Sequence, residues 1–228
     1  MDLALNTKKQ LMDDVWAFRF TPSEPVTWIA GQHMDVMVPH EHPDSAGTVR
    51  TFTVSSAPYE GVLQITTRIS DSSFKQALQS LESGGTIQLV KKPSGNFIWQ
   101  DNTVLPVVFI AGGIGMTPFH SILTQRVHEG LPLSVTLLYG SRTEAVLFKE
   151  ELDEWARKDN TFNIEYVISE PLSLEKINTL LPNINNSLVY LSGPEPMVQA
   201  LSGELTANGL LSSQLKIDGF TRYTQSNY

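Results

Sequence analysis

The sequence of 228 residues contains no cysteine. It therefore has no disulfide bond, no thiol nucleophile and no cysteine-ligated iron–sulfur cluster, because those clusters are held by thiolates. Any redox chemistry in this chain needs a bound organic cofactor. The net charge of −8 at pH 7 argues against nucleic acid as a partner, since nucleic-acid binding relies on lysine and arginine to neutralise phosphates.

Long hydrophobic runs are also missing from the sequence. No apolar run approaches the roughly 20 residues that a membrane-spanning helix needs, and the N-terminal residues MDLALNTKKQ lack the apolar centre of a signal peptide. We therefore expect a protein without a membrane span, located in the cytoplasm. The composition, with 41% hydrophobic and 18% charged residues, is that of ordinary globular domains, and the length allows one large or two small ones.

The first half of the chain has the pattern of short β-strands. Residues 62–69 alternate, with Leu63, Ile65, Thr67 and Ile69 on one face and Gln64, Thr66 and Arg68 on the other. Turn-forming residues recur at 21–25, 39–47, 57–61 and 92–96, and one helix is predicted at 74–81. This pattern predicts an antiparallel barrel or sandwich.

After Asp101 the pattern changes to alternating strands and helices. The run VLPVVFIA has the composition of a buried strand, and a glycine turn leads from it into the helical segment TPFHSILTQRVHEG. Further strands are predicted at 134–139, 162–168, 188–191 and 215–217, with a helix at 147–157 whose apolar stripe is Phe148, Leu152 and Trp155. This alternation predicts a parallel sheet covered on both faces. The predicted domains are residues 1–101 and 102–228.

Two motifs carry the chemistry. AGGIGMTP, at 111–118, lies between a buried strand and a helix, where glycine allows close approach of a ligand and the helix start attracts an anion. This string resembles the nicotinamide-dinucleotide loop of the ferredoxin reductase-like superfamily. RTFTVSS, at 50–56, is similar to the flavin-binding strand of the same superfamily. The resemblance implies an N-terminal FAD-binding β-barrel and a C-terminal Rossmann-like α/β domain that binds NAD(P)H.

The resemblance assigns roles in the barrel. Arg50 would pair with the pyrophosphate of FAD, Phe52 would stack on or flank the isoalloxazine where the family more often has tyrosine, and Thr53 would approach flavin N5. Ser72 and Ser73, at a helix start, would contact the second phosphate of FAD or cap the helix. AGQ at 30–32 and KPSGNF at 92–97 fit the family's order along the chain. The expected cofactor contacts of this half are Arg50, Thr51, Phe52, Thr53, Thr66, Arg68, Ser72 and Ser73.

In the second half, YGSR at 139–142 ends a strand where relatives contact the adenosine ribose or its phosphate. Arg142 could hold the 2′-phosphate of NADPH, whereas Glu144 could accept from a ribose hydroxyl and favour NADH. LSGPEPM at 191–197 resembles the family's Cys-Gly-Pro-x-x-Met turn beside the nicotinamide, with Ser192 in place of the cysteine. The expected contacts of this half are Gly112, Gly113, Ile114, Gly115, Met116, Thr117, Ser141, Arg142, Ser192, Gly193, Pro194 and Met197.

Two further segments have alternative interpretations. IDGFTRY at 217–223 resembles the end of many stand-alone family members, so Phe220 or Tyr223 would cover the flavin or would only pack. His40, His42 and Asp44 in HEHPD are close enough to suggest a metal site, but a proline-containing polar loop without a second group of ligands favours a solvated connection. We predict no metal.

The resemblance thus implies an oxidoreductase that moves hydride from NAD(P)H to FAD, with Thr53 and Ser192 at the reacting centre. A cysteine-free chain must pass its electrons out of the polypeptide, and a separate redox protein is the first expectation for the acceptor. A diffusible flavin, ferric complex or quinone is the alternative acceptor. A hypothesis of another class is a nucleotide-binding module without turnover, suggested by Ser192 in place of the family's cysteine and by Arg222 in place of the glycine in the family's Asp-x-Phe-x-Gly-Tyr motif.

Overall fold

The computed structural model describes residues 1–218. Its N-terminal part is a curled six-stranded sheet in which every neighbouring pair of strands is antiparallel, in the order β4-β3-β6-β1-β2-β5. The strands are β1 Asp2–Gln10, β2 Val15–Pro22, β3 His33–Met37, β4 Val49–Thr53, β5 Leu63–Arg68 and β6 Thr86–Ser94. Just beyond the end of β4, the backbone N–H of Ser55 donates to the Gln64 carbonyl at 2.9 Å, which brings the two edge strands together.

Helix α1, Ser73–Ser80, packs on the core of this sheet. Phe74 and Leu78 of the helix are fully buried among the inward-facing side chains of the strands. Burying these apolar surfaces supplies most of the driving force for this half of the fold. The start of α1 is thereby fixed beside β4, where the flavin motif lies.

The second part is a five-stranded parallel sheet in the order β11-β10-β7-β8-β9. Its strands are β7 Val107–Gly112, β8 Val135–Ser141, β9 Phe162–Ile168, β10 Leu188–Ser192 and β11 Leu215–Asp218. Its helices are α2 Thr117–His128, α3 Lys149–Lys158, α4 Leu174–Leu180 and α5 Glu195–Ala207. One apolar core includes side chains of α2 and α3, and another includes side chains of α4 and α5. The predicted two-part fold is confirmed.

The structure adds one detail to β5 and corrects one helix boundary. In β5 the face that carries Gln64 and Thr66 is buried, with these residues 8% and 5% exposed. The Gln64 amide donates to Thr66 Oγ1 at 3.1 Å, and Ser55 Oγ lies 2.8 Å from the same oxygen. In the second sheet, the helix predicted from 147 begins at Lys149, because Phe148 adopts a left-handed conformation with φ of 62°.

Hydrogen bonds join the two parts. On α2, Ser121 Oγ donates to the Ser56 carbonyl at 2.7 Å, and His120 Nδ1 lies 3.2 Å from the Ser55 carbonyl. The Tyr190 hydroxyl on β10 donates to the Ile98 carbonyl at 2.8 Å. The domain boundary predicted after Asp101 falls between β6 and β7 and stays a prediction. Within residues 1–218, every helix is too short or too polar to cross a membrane.

Candidate active site

A buried polar cluster lies where the end of β4 meets the carboxyl ends of β10 and β11. Ser192 and Asp218 are paired in register on these two parallel strands, and Ser192 Oγ donates to Asp218 Oδ2 at 3.2 Å. Thr53, the last residue of β4, is 5% exposed, and its Oγ1 lies near the Asp218 carboxyl but forms no hydrogen bond of ordinary geometry with a described residue. The structure thus brings the two predicted reacting-centre residues, Thr53 and Ser192, to the same carboxyl group.

The Asp218 carboxyl has an unusual proton affinity. Burial raises the pKa of Asp218 to about 7, although the hydroxyls of Ser192 and of the nearby Thr53 partly oppose this rise. A carboxyl with this pKa exchanges protons near neutral pH, so it can both donate and accept there. A cavity of about 420 Å³ opens beside it, lined by His33, Asn96 and Phe97 and by residues 215–218.

The glycine motif packs tightly against the 193–197 turn. A Cβ atom on Gly115 would lie 2.5 Å from the backbone of Gly193, and one on Gly112 would lie 2.6 Å from Met197 Sδ and 3.0 Å from Pro194. These glycines are therefore required by contact between two segments of the chain. The adjacency of β7 and β10, which pairs Ala111 with Ser192, places the two motifs side by side.

The remaining residues of the glycine motif differ in accessibility. Gly113 has a φ of 51° and open space around its Cβ position, and its carbonyl accepts from the Tyr139 hydroxyl at 3.0 Å. Ile114 is half-buried, and Thr117 is 6% exposed. Met116 lies fully buried in the core under α2. Gly113 is thus the part of the motif that is most open to a ligand.

A second cluster lies at the start of α1. Asp44 accepts a hydrogen bond from Arg50 Nη2 at 2.9 Å through Oδ1 and bonds from Ser72 Oγ and Ser73 N at 3.2 Å through Oδ2. Arg50, Ser72 and Ser73 are the three residues predicted to hold the FAD phosphates. The structure therefore brings them together around one anionic group.

The other predicted FAD contacts have partners within the chain. The Thr51 hydroxyl donates to Asp35 at 2.6 Å, and Arg68 forms two bonds of 2.6 Å to the Asp14 carboxylate. The Phe52 ring is 6% exposed and lies 5.7 Å from the Phe74 ring. These side chains and Thr66 therefore make contacts within the N-terminal part of the structure, and their contacts with flavin stay predictions.

The adenosine end of the predicted nicotinamide site is open. Arg142 is exposed, as is Glu144, and Ser141 Oγ donates to the Thr143 carbonyl at 2.8 Å. Phe220, like Tyr223 and Arg222, lies outside the described residues. His40 and Asp44 both approach Ser73 rather than a shared metal position. Among residues 1–218, no three His, Asp or Glu side chains are grouped to hold a metal ion.

Comparison with known proteins agrees with this architecture. The model of the oxidoreductase NAD-binding domain matches residues 109–203. The whole fold superposes with a TM-score of 0.78 on the cytochrome b5 reductase domain of Ulva prolifera nitrate reductase, at 22% identity over 95% of this chain and 96% of that one. A cytochrome P450 reductase from Amycolatopsis gives 0.80 at 20% identity, covering 96% and 70%.

In sequence and fold the chain is similar to reductases of the ferredoxin reductase-like type. Among curated relatives, the reductase component of propane 2-monooxygenase from Rhodococcus jostii is 28% identical over 225 residues, which are 91% of this chain and 60% of the relative. NADH-cytochrome b5 reductase 1 from Pyricularia oryzae is 28% identical over 208 residues, 83% of this chain and 67% of the relative. The chain spans about 60% of the length of the first of these relatives.

One residue of the site was not identified from the sequence. Asp218 follows Ile217 in a short strand, and a single acidic residue at a strand end is usually solvated. Its burial depends on the approach of β4 and β10, which is a tertiary contact. The sequence offered only the prediction of a strand at 215–217, and its pairing with the strand that carries Ser192 is seen in the structure.

Proposed function

We propose that this chain is a flavoprotein oxidoreductase that transfers hydride from NAD(P)H to non-covalently bound FAD and passes the electrons to a separate acceptor. The observation that carries this proposal is the convergence of Thr53, Ser192 and Asp218 in one buried cluster between the two sheets. The similarity in fold to ferredoxin reductase-like proteins supports hydride transfer as the reaction, and the cluster is the proposed place of that reaction in this chain.

The residues present fit FAD at two points. Thr53 Oγ1 is a buried hydroxyl that forms no hydrogen bond of ordinary geometry with a described residue, although the Asp218 carboxyl lies near it. A ligand atom that accepted a hydrogen bond from it would satisfy this hydroxyl. Arg50, Ser72 and the Ser73 N–H already converge on a carboxylate, so they can hold the phosphates of FAD. When bound, FAD would accept hydride and release electrons singly or in pairs.

On the nicotinamide side, each group has a distinct task. The open backbone at Gly113 would allow the dinucleotide to approach the start of α2, and Ser192 would lie beside the bound nicotinamide. The ionised Asp218 carboxylate orients the Ser192 hydroxyl, and because its pKa is about 7, the carboxyl is partly protonated at neutral pH. When FAD is bound, Thr53 would orient the isoalloxazine, as the resemblance of the 50–56 strand implies.

Arg142 favours NADPH, because a guanidinium suits a 2′-phosphate. The exposed Glu144 two residues later offers the opposite preference, for NADH, by accepting from a ribose hydroxyl. We propose NADPH on the strength of Arg142, whose side chain has no partner among the described residues that would compete with a phosphate.

The acceptor is proposed to be a separate redox protein. Curated relatives are named as a monooxygenase reductase component and as NADH-cytochrome b5 reductases, and this cysteine-free chain cannot hold a cysteine-ligated cluster of its own. A diffusible flavin, ferric complex or quinone is the alternative. The cytoplasmic location stays a prediction.

The test is the anaerobic absorption spectrum of the protein reconstituted with FAD. We expect a flavin spectrum whose band near the visible maximum is lost on addition of NADPH or NADH, followed by recovery when an electron acceptor is added. An FAD-loaded protein that is not reduced by either coenzyme would contradict the proposed activity and favour the nucleotide-binding module.

A further inference from the structure

The cluster at the start of α1 has an unusual composition for a phosphate site, because the anion that it holds is part of the chain. The Asp44 carboxylate uses one oxygen for Arg50 and the other for Ser72 Oγ and Ser73 N. Burial opposes its ionisation, but the Ala46 N–H and the charge of Arg50, followed by the two serines, lower the pKa of Asp44 overall. The group is therefore a carboxylate at neutral pH.

The loop that carries Asp44 is fastened to the same helix start by further bonds. Ser73 Oγ accepts from the Asp44 backbone N–H at 2.8 Å and lies 3.0 Å from His40 Nε2. Arg50 Nη1 donates to the carbonyls of Ala46 and Gly47 at 2.7 and 2.8 Å. The loop thus occupies both the donors at the helix start and the guanidinium of Arg50.

We propose that the 39–47 loop, through Asp44, occupies the FAD phosphate position in the FAD-free protein and has to be displaced when FAD binds. This inference rests on the proposed function, because it takes Arg50, Ser72 and Ser73 as the FAD phosphate ligands. Asp44 is then an internal competitor that protects a cationic pocket from other anions and lowers the apparent affinity for FAD.

Electrostatics makes simultaneous occupancy unfavourable. A pyrophosphate carries two negative charges, and a carboxylate within hydrogen-bond distance of the same donors would repel it while using the N–H and O–H groups that it needs. The apparent dissociation constant of FAD is the intrinsic constant divided by the fraction of molecules with the loop open. Removing the Asp44 charge should raise that fraction.

The first experiment is a titration of FAD-free protein with FAD, followed by fluorescence, in wild type, Asp44→Asn, Asp71→Asn and Arg50→Ala. Asn keeps the size of Asp44 but loses its charge. Asp71→Asn is the matched control, because it removes the same charge at an exposed position one residue before Ser72. Asp71 is not a described partner of Arg50, Ser72 or Ser73. We expect Asp44→Asn to bind FAD on the order of tenfold more tightly, Asp71→Asn to bind like wild type and Arg50→Ala to bind more weakly.

The second measurement tests displacement directly by hydrogen exchange of the peptide containing residues 38–48. In wild type, exchange should become faster when FAD is added, whereas in Asp44→Asn it should be fast already without FAD. Asp44→Ser, which also lacks the charge, should repeat the result if the Asn variant is unstable by thermal melting.

The outcomes separate this inference from the proposed function. If wild type binds FAD with unchanged loop exchange and Asp44→Asn has the same affinity, the displacement proposal is overturned while the flavoprotein assignment stands. If Asp44→Asn and Asp71→Asn tighten binding equally, general charge rather than occupancy is responsible, and the proposal is also overturned. If none of the variants binds FAD, both proposals fail.

Discussion

Replacing Asp218 by Asn should change how the stability of the fold depends on pH. Burial raises the pKa of Asp218 to about 7, from 3.8 for an ordinary aspartate. Between these values the folded state binds the proton and the unfolded state does not. The stabilisation is therefore fully present below about pH 4 and is lost as pH rises through about 7. Above pH 8 the ionised carboxyl costs the fold about 4 kcal/mol, at about 1.4 kcal/mol per pKa unit.

The assay is urea denaturation of FAD-free wild type, Asp218→Asn and Asp13→Asn at pH values from 5 to 8. Asn has a similar volume, cannot ionise and can still accept from Ser192. Relative to Asp218→Asn, the wild type should lose about 2.5 kcal/mol of unfolding free energy between pH 5 and pH 8. Asp13 is exposed, so its replacement should leave the pH dependence like that of wild type.

A stability difference between wild type and Asp218→Asn that stays constant from pH 5 to pH 8 would refute the reasoning. It would mean that Asp218 has the same proton affinity in the folded and unfolded chains, so the carboxyl is solvated or paired. The proposed proton-holding role at the reacting centre would then lose its physical basis.

Three further predictions follow from the site. Thr53→Val should lower the rate of flavin reduction about tenfold in stopped-flow experiments, equivalent to about 1.4 kcal/mol for one lost hydrogen bond. Ser192→Ala should lower the same rate by a smaller factor. If Thr53→Val binds FAD normally and is reduced at the wild-type rate, β4 contributes to FAD binding only. Arg142→Ala should raise the KM for NADPH more than that for NADH, and equal changes would remove the assignment of Arg142 to the 2′-phosphate. Gly115→Ala should destabilise the fold by about 1–3 kcal/mol, because the new Cβ would lie 2.5 Å from the facing backbone. Gly203 lies inside a helix with open space around its Cβ position, so Gly203→Ala should stabilise the fold slightly. Thermal melting measures both changes.

The fold could be predicted because its local patterns and its global arrangement agree. The buried run before the glycine turn and the following strand–helix alternation indicate a parallel sheet, since covered strands need no polar face. The alternation in β5 separates its two faces but does not tell whether the polar face meets water, and in the structure Gln64 and Thr66 face a polar cluster with Ser55. Only the tertiary structure reveals that a polar face is buried.

The candidate site was predictable where a motif is continuous in sequence. Thr53 and Ser192 each belong to a short string, and the structure brings both beside Asp218. Asp44 could not be found in the same way, because its contact with Ser73 joins positions 29 residues apart through a loop without regular structure. Such a contact is determined by how the loop folds back on α1, and no periodicity in the sequence indicates it.

Serine at position 192 has a physical consequence beyond the loss of a thiol. A hydroxyl donates and accepts hydrogen bonds, whereas a thiol does both only weakly. The hydrogen bond from Ser192 therefore stabilises the ionised Asp218 carboxylate and lowers its pKa, whereas burial raises that pKa. When Asp218 is ionised, the Ser192 hydrogen points toward the carboxylate, and when Asp218 is protonated, the hydroxyl can turn its hydrogen elsewhere. The proton on Asp218 thus determines which hydrogen-bonding group Ser192 presents at the proposed nicotinamide position, which links the serine substitution to the buried acid.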